Sequence, residues 1–359
     1  MLILSMARLS GGVSITPSYE LKSGVEDLRQ SRNLICVMVL TTLGACAQIA
    51  DRAPAIVPAI VEDPNSLTIA FIGDQGSGAG ARAVLQLIRS EGADLVLHQG
   101  DFDYKDDPAA WDRLITAVLG PDFSYFASVG NHDKKRFFGA GGYQDLLQQR
   151  LGRVPGAFCM DDLGVRSVCT YRNLFMVFSA IGTIPKRPDE PRHIAYLRGK
   201  LAASGALWKI CSWHKNQRAM QLGNKKDAVG WAAYEACREA GAIIATGHEH
   251  SYSRTHLMRH FENKTILSTS PILRIGKGRT FAFVSGLGGK GIRRQRRDGP
   301  WWAAKYAKGQ DATHGALFCS IADGGRANRA GCYFKAIDGT IVDRFLIVNE
   351  GRKPFRPTS

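Results

Sequence analysis

The fold is decided by ten residues, LTIAFIGDQG, at positions 67–76. The first six are apolar and partly β-branched, which predicts a buried strand over Leu67–Ile72. The strand ends at Gly73-Asp74, and residues 79–90 have the pattern of a helix. A strand, a polar turn that carries a carboxylate and then a helix are typical of an α/β fold.

Four more polar segments each follow a predicted strand. They read GDFDY at 100–104, GNHD at 130–133, WH at 213–214 and GHEH at 247–250. Helices predicted over residues 108–119, 143–151, 192–203 and 228–240 alternate with strands, one of them spanning 169–179. We therefore predict an α/β fold whose polar segments meet at the C-terminal ends of strands. After residue 250 the sequence is mostly strand-like with Gly-rich connections, which predicts a second, largely antiparallel layer.

The five segments supply carboxylate, phenol, amide and imidazole groups, which suit two adjacent metal ions. Two ions about 3.5–4 Å apart commonly support in-line attack on a phosphate ester. Asp101 is the candidate bridging ligand. His248 and His250 are two residues apart, so in an extended segment both imidazoles share a side, one for each ion. Tyr104 has an unperturbed pKa of about 10, so it would bind as a phenolate only to a strongly acidic ion such as Fe³⁺.

Glycine precedes the candidate ligand in four segments, at Gly73, Gly100, Gly130 and Gly247. We expect these glycines to let the chain turn sharply off each strand. His98, on the strand before Gly100, is interpreted as a buried packing residue. Asp103 is expected to have a structural role, and Tyr252 and Arg254 are expected to brace the last ligand segment.

In order and content the segments resemble those of the calcineurin-like metallophosphoesterases. They are most similar to the purple acid phosphatases, whose segments read GDxG, GDxxY, GNH(D/E), VxxH and GHxH. Many other branches have a histidine where this chain has Gly76, and Tyr104 stands where the purple-type tyrosine would be. The resemblance covers roughly residues 66–348. It implies an α/β protein, a four-layer α/β/β/α sandwich with mixed sheets.

The resemblance also implies a ligand set for two metal ions, Fe³⁺ partnered with Zn²⁺, Mn²⁺ or Fe²⁺. The first ion would take Asp74, Tyr104 and His250, the second Asn131, His214 and His248, and Asp101 would bridge them. His132 would bind phosphate and protonate the leaving group. Lys134 and Asn216, which follow His132 and His214, are further candidates for binding the substrate phosphate, with a solvated loop the alternative at Lys134.

What the resemblance implies for function is hydrolysis of small phosphate monoesters, with a metal-bound hydroxide attacking phosphorus. A phosphodiesterase or nucleotidase on the same centre is an alternative, and a non-catalytic binding protein on the same scaffold is a more distant one. The fourth segment departs from the family, because Cys211 begins it where valine is usual. Too few residues precede Ser66 for the N-terminal domain of the large plant-type members, so we expect a small single-domain form.

The first 65 of the 359 residues differ in character from the rest. Residues 34–43 are apolar and uncharged and follow Arg29 and Arg32, which indicates a signal peptide, with a buried N-terminal helix or strand as the alternative. The sequence LGAC at 43–46 resembles a lipobox, so Cys46 is a candidate lipid anchor. We predict an exported protein that is periplasmic, secreted or lipid-anchored. The predicted regions are a signal peptide (1–46), a linker (47–65), the catalytic domain (66–349) and a tail (350–359).

Cysteine and charge patterns add two expectations. Six cysteines fall into pairs close in sequence, Cys159/Cys169, Cys211/Cys237 and Cys319/Cys332, which suggests disulfides, with six buried thiols as the alternative. The net charge of +15 favours anionic substrates or an anionic membrane face. The densest basic run, residues 290–297, is interpreted as a solvated loop, with a polyanion-binding loop as the alternative. We find no recognised nucleic-acid module.

Overall fold

The computed structural model describes residues 66–351, which form two large mixed β-sheets with helices on their outer faces and a separate two-stranded sheet. The predicted signal peptide and linker, and residues 352–359 of the predicted tail, lie outside the described residues. Within 66–351, no helix is both long enough and apolar enough to span a membrane.

Five helices and seventeen strands make up the described part of the chain. The helices are α1 (Ala79–Ser90), α2 (Pro108–Leu119), α3 (Tyr143–Leu151), α4 (Pro191–Ala203) and α5 (Ala232–Glu239). The first nine strands are β1 (Leu67–Ile72), β2 (Leu95–His98), β3 (Ser124–Ala127), β4 (Phe158–Asp162), β5 (Arg166–Tyr171), β6 (Leu174–Ser179), β7 (Trp208–Trp213), β8 (Ile243–Thr246) and β9 (Tyr252–Thr255). The others are β10 (Leu257–His260), β11 (Thr265–Ser268), β12 (Ile272–Ile275), β13 (Ala282–Ser285), β14 (Trp302–Tyr306), β15 (Gly315–Ile321), β16 (Arg329–Ala336) and β17 (Ile341–Asn349).

The first sheet has the strand order β12-β17-β16-β15-β1-β2-β3, and the second has the order β14-β9-β13-β8-β7-β6-β5-β4. Strands β1, β2 and β3 are parallel, as are β6, β7, β8 and β13. Antiparallel strands β15 and β16 extend the first sheet, and β5 and β9 extend the second. The parallel centre of each sheet therefore ends at the segments that carry the candidate ligands.

Helices cover both outer faces. Helix α1 packs against the first sheet through Ala81, Val84, Leu85 and Ile88, which share one helical face. Helices α2 and α3 lie beside it, while α4 and α5 pack on the second sheet. Between the sheets, Phe71 meets Phe283 edge to face with ring centroids 5.0 Å apart. The predicted four-layer α/β/β/α sandwich with mixed sheets is confirmed.

Two predicted elements are wrong in detail. The single strand predicted over residues 169–179 is a hairpin, β5–β6, whose chain reverses at Arg172 and Asn173, both with positive φ. Neither turn residue is a glycine, so the sequence lacks the usual mark of a reversal here. The helix predicted from residue 228 begins at Ala232, because Gly230 has a φ of 74° that no helix accommodates.

All three predicted disulfides are present. Cys159–Cys169 joins β4 to β5, and Cys319–Cys332 joins β15 to β16 at directly opposite positions. Cys211–Cys237 ties β7 to α5. This pattern is typical of proteins in an oxidising compartment.

A buried ion pair connects the two sheets. The Asp343 carboxylate of β17 accepts hydrogen bonds from Arg254 Nε (2.6 Å) and Nη2 (2.9 Å) and from the Tyr252 hydroxyl (2.7 Å). Tyr252 and Arg254 therefore brace β17, and the prediction that they brace the adjacent ligand segment is wrong. Arginine forms such paired bonds to a carboxylate with high geometric specificity.

Replacing Asp343 by alanine leaves Arg254 buried without its carboxylate, so we expect the free energy of unfolding to fall by about 3–5 kcal/mol. Glu350→Ala is the matched control, because Glu350 pairs with Arg274 and Arg279 at the surface, and should cost about 1 kcal/mol or less. Urea unfolding measures both variants. Equal losses would show that the buried pair has no special role.

Candidate metal centre

The five polar segments converge at the C-terminal ends of β1, β2, β3, β7 and β8. The first two segments run side by side, since the backbone N–H groups of Asp74, Gln75 and Gly76 donate to the carbonyls of Gly100, Asp101 and Phe102. The last two are joined where Gly247 N–H donates to the His214 carbonyl (3.0 Å). The predicted gathering of the segments at one edge is confirmed.

One group of side chains consists of Asp74, Tyr104 and His250. The Tyr104 hydroxyl donates to Asp74 Oδ1 (2.9 Å) and lies 3.1 Å from His250 Nε2, which is 3.3 Å from the same carboxylate oxygen. His250 Nδ1 lies 2.7 Å from the Gly291 carbonyl, which can only accept a hydrogen bond. This contact places the proton on Nδ1 and turns Nε2 toward Asp74.

The second group is built around His214. Its Nε2 lies 3.2 Å from Asp101 Oδ2, 3.3 Å from Asn131 Oδ1 and 3.1 Å from His248 Nδ1. Its Nδ1 donates to the Gln99 carbonyl (2.7 Å). A neutral His214 thus directs a nitrogen lone pair at two oxygen atoms, with the imidazole of His248 beside them.

Such crowding of lone pairs needs a positive charge at its centre. Burial alone would lower the pKa of His214, yet the carboxylates of Asp101 and Asp74 raise it above its usual value. Burial would likewise raise the pKa of Asp101, but His214 holds it well below its usual range. Both shifts show that positive charge is favoured between His214 and Asp101. In the first group Asp74 Oδ2 is buried and has no hydrogen-bond partner within residues 66–351. The donor set thus fits bound cations.

Tyr104 is held as a neutral phenol by its surroundings. Burial raises its pKa far above 10, and the carboxylates of Asp74 and Asp101 raise it further. The Lys290 ammonium lies 4.4 Å from the centre of its ring. Binding of Tyr104 as a phenolate therefore requires a strongly acidic cation close to its oxygen.

The ligand segments adopt unusual backbone conformations. Asp74, Asp101 and His248 have φ values of 57°, 63° and 69°, in the left-handed region that non-glycine residues rarely occupy. Each such residue costs about 1 kcal/mol or more, and strain of this kind clusters at functional sites.

The predicted role of the preceding glycines is only partly right. Of the four, Gly100 alone has a positive φ, 82°. Gly130 instead permits a close approach, because a Cβ there would lie 2.1 Å from the Asp101 backbone nitrogen. The second and third segments can cross at this distance only if residue 130 has no side chain.

Asp133 connects the same two segments and was missed by the sequence analysis. Its buried carboxylate accepts hydrogen bonds from the backbone N–H groups of Asp101 (2.9 Å), Phe102 (2.8 Å) and Gly130 (2.6 Å). Burial and the nearby Asp101 raise the pKa of Asp133 to about 8. Its place as the last residue of GNHD was the only signal in the sequence. Asp103 braces the loop next to it by accepting from Lys105 N–H, Asp107 N–H and the Tyr143 hydroxyl.

The predicted phosphate-binding residues have different outcomes. His132 is exposed, with its ring centroid 4.5 Å from that of Tyr104, and its backbone N–H donates to Asp101 Oδ1 (2.8 Å). Lys134 is exposed on the same loop. Asn216 is a wrong prediction, because it is fully buried with Nδ2 donating to the Gly247 carbonyl (2.7 Å) and Oδ1 accepting from Tyr234. Its amide group braces the segment that carries His248.

His98 packs as predicted, between the rings of Phe102 and Tyr125. Burial lowers its pKa to about 3, so the ring is neutral. Its Nδ1 accepts a hydrogen bond from Gly100 N–H (3.0 Å). His98 therefore supports the turn into the Asp101 segment.

The basic run at residues 290–297 is attached to the centre by its backbone. Lys290 N–H donates to the Asp74 carbonyl and Arg293 N–H to the His250 carbonyl, each at 2.9 Å. The basic side chains of the run are mostly exposed, as expected for a solvated loop, while its backbone is fixed to two ligand segments. Lys225, also missed, donates to the His248 carbonyl, and burial lowers the pKa of its ammonium to about 8.

The chain matches a known protein family. The family described as calcineurin-like phosphoesterase matches residues 67–252, from β1 through the last candidate ligand. The chain belongs to the calcineurin-like phosphoesterase family. It is accordingly a metallophosphoesterase, and members of this family use metal ions to hydrolyse phosphate esters. No curated protein matches the chain.

Solved structures with the same fold include a purple acid phosphatase, PPD1, from yellow lupin (Lupinus luteus) seeds, at a TM-score of 0.60 and 17% identity. The match covers 84% of this chain but only 59% of the lupin chain. GAP50, described as the anchor in the inner membrane complex of Plasmodium, matches at a TM-score of 0.53 and 12% identity, over 80% of this chain and 90% of its own. PhoD matches at a TM-score of 0.51 and 14% identity, over 84% of this chain and 74% of its own. At these identities the similarity shows the fold alone.

Asp133→Asn should destabilise the centre, because an amide can replace only part of the acceptor capacity of the carboxylate and brings an N–H₂ group toward backbone donors. We expect the metal content of the purified variant to fall, and with it the stability that bound metal gives to the folded protein. The control Asp122→Asn changes an exposed carboxylate that pairs with Arg153 and should have little effect. Normal stability and metal content in Asp133→Asn would refute this role.

Proposed function

We propose that this chain hydrolyses phosphate monoesters with two metal ions held at the candidate centre. The observation that carries the proposal is the convergence of seven side chains into two groups, one around His250 and one around His214. Asp101 contributes to the second group and also raises the pKa of Tyr104 in the first. A carboxylate that acts on both groups is suited to bridge two ions.

We assign the ligands by these groups. Asp74, Tyr104 and His250 would hold the first ion, Asn131, His214 and His248 the second, and Asp101 both. A phenol kept neutral by two carboxylates favours Fe³⁺ at the first position, with Zn²⁺, Mn²⁺ or Fe²⁺ at the second. When bound, the ions would supply Lewis-acid activation of the phosphate and of a water molecule.

The remaining residues bind, orient and transfer protons. His132 lies at the mouth of the site, because its backbone is fixed by Asp101 and its ring contacts Tyr104. We assign to it a proton transfer to the departing alkoxide, which is the usual task of an imidazole placed beside a leaving group. Lys134 and Lys290, both exposed near this mouth, add positive charge that attracts a phosphate dianion.

Two other functions compete with this one. Hydrolysis of phosphodiesters or nucleotides on the same centre is favoured by the basic side chains that the run at 290–297 presents next to it. The second is a non-catalytic binding role on the same scaffold, and one protein with this fold, GAP50 of Plasmodium, is described as the anchor in the inner membrane complex. Function therefore has to be argued from the site, and this chain keeps all seven candidate ligands.

Export remains part of the proposal. Three disulfides fit an oxidising compartment, so we propose a periplasmic, secreted or lipid-anchored protein. The candidate anchor Cys46 lies outside the described residues and is still a prediction.

The proposal is tested with 4-nitrophenyl phosphate and bis(4-nitrophenyl) phosphate as substrates. Changing groups that support metal ligands costs 10–100-fold in comparable sites, so Asp101→Asn and His214→Ala, which remove ligands, should lower kcat/KM by more than about 100-fold. His260→Ala, an exposed histidine on β10, is the control. The monoester should be the better substrate of the wild type.

Retained turnover after removal of all metal would contradict the mechanism. Faster turnover of the diester would replace the monoesterase proposal with the phosphodiesterase alternative. Full metal loading with no turnover of either ester would favour a non-catalytic role.

A further inference from the structure

One edge of the second sheet is open at strand β4. Within residues 66–351, β4 pairs with β5 on one side and with no other strand. Its sequence is FCMDD, without the lysine or proline that often protects an edge strand. Phe158 and Met160 on this strand have exposed fractions of 59% and 41%, and Phe158 is the most exposed large hydrophobic side chain of the described residues. An exposed apolar edge strand is a template for pairing with another strand.

The two apolar side chains lie on the outer face of the sheet. Phe158 and Met160 are two residues apart in a strand, so they point to the same side. Met160 lies opposite Val168 of β5, which packs in one cluster with Leu197 of α4. At the edge itself, the Lys200 ammonium of α4 lies 3.7 Å from the Met160 sulfur. The apolar outer face of the sheet thus continues as an exposed strip beyond the helix that covers it.

The main-chain groups of Cys159 face the open edge. Cys159 lies directly opposite Cys169 of β5, with a Cα–Cα distance of 4.1 Å. In an antiparallel pair, opposite residues about 4.5 Å apart do not exchange hydrogen bonds, whereas those about 5.5 Å apart do. The N–H and C=O groups of Cys159 therefore point away from β5, where a further strand can pair with them.

We propose that β4 pairs with β4 of a second copy of this chain, in an antiparallel dimer centred on Cys159. Two-fold dimers are the commonest symmetric oligomers of soluble proteins. The pairing would place Phe158 against Met160 of the partner subunit and Met160 against the partner's Phe158. Each exposed apolar side chain would thereby meet another, and cross-strand pairs of this kind stabilise a sheet. The two eight-stranded sheets would form one continuous sheet.

The charges of the strand favour the antiparallel direction. Strand β4 ends in Asp161 and Asp162, and Asp161 pairs with Lys200 of its own subunit (2.8 Å). Antiparallel pairing centred on Cys159 puts the acidic residues of the two copies at opposite ends of the interface. Parallel pairing would set like charges side by side, which is destabilising. The strand is therefore complementary to itself in the antiparallel direction, and this inference does not depend on the metal centre.

Sedimentation velocity of the purified chain over a range of concentrations tests the dimer. We expect a concentration-dependent dimer whose dissociation constant rises by roughly tenfold or more in Phe158→Lys and in Met160→Glu, because two-fold symmetry removes two cross-strand pairs with each substitution. Both side chains are exposed, so the variants should fold. Ile341→Lys is the matched control, since Ile341 of β17 is an apolar side chain of similar exposure (44%), and it should leave the dissociation constant unchanged.

Mixing the two variants tests the direction of pairing. In a mixed dimer the introduced lysine would face the introduced glutamate, while Met160 of one copy would still face Phe158 of the other. The mixture should therefore dimerise more tightly than either variant alone. A wild-type chain that is monomeric at every concentration, a dimer that Phe158→Lys leaves intact, or a mixture that gains no affinity would each overturn the proposal.

Discussion

The contact on which the rest of the site depends is the one between His214 and Asp101. His214 Nε2 faces a carboxylate oxygen, an amide oxygen and a second imidazole nitrogen within 3.3 Å. These atoms repel one another unless a positive charge lies among them, and the carboxylates of Asp101 and Asp74 raise the pKa of His214 in spite of its burial. The surrounding loops hold the atoms together against that repulsion.

Hydrogen bonds and close contacts of the backbone hold these ligand atoms in place. Asp133 accepts three backbone N–H groups from two ligand segments, and Gly130 lets those segments cross without a side chain between them. The Gln99 and Gly291 carbonyls fix the tautomers of His214 and His250. Strained backbone at Asp74, Asp101 and His248 is the local cost of this arrangement. The stability for it comes from the sandwich below, where two sheets share one core.

Much of the fold and of the candidate site could be predicted from sequence, because each ligand segment lies directly after its strand in the chain. Each candidate ligand segment follows a short apolar run, so the α/β class was predicted from segment order, and the resemblance to purple acid phosphatases implied how the seven side chains would be grouped. Some predictions failed because they concern residues whose contacts lie far away in the sequence. In sequence, Asn216 is a polar residue close to the ligand His214. In the structure its Nδ2 donates a hydrogen bond to the carbonyl of Gly247, which follows β8. The β5–β6 turn at Arg172 and Asn173 lacks the glycine that usually marks a reversal. Lys225 was missed because it belongs to none of the five polar segments.

The family match establishes a metallophosphoesterase, while the number of ions is a claim about this particular set of side chains. Its most direct test is the anomalous diffraction of crystals grown from untagged protein, collected above the iron and zinc absorption edges. The account predicts two anomalous peaks about 3.5–4 Å apart, one beside Tyr104 and one beside His214, with the Asp101 carboxylate between them. A single peak, or none at these seven side chains in protein that hydrolyses phosphate esters, would contradict it.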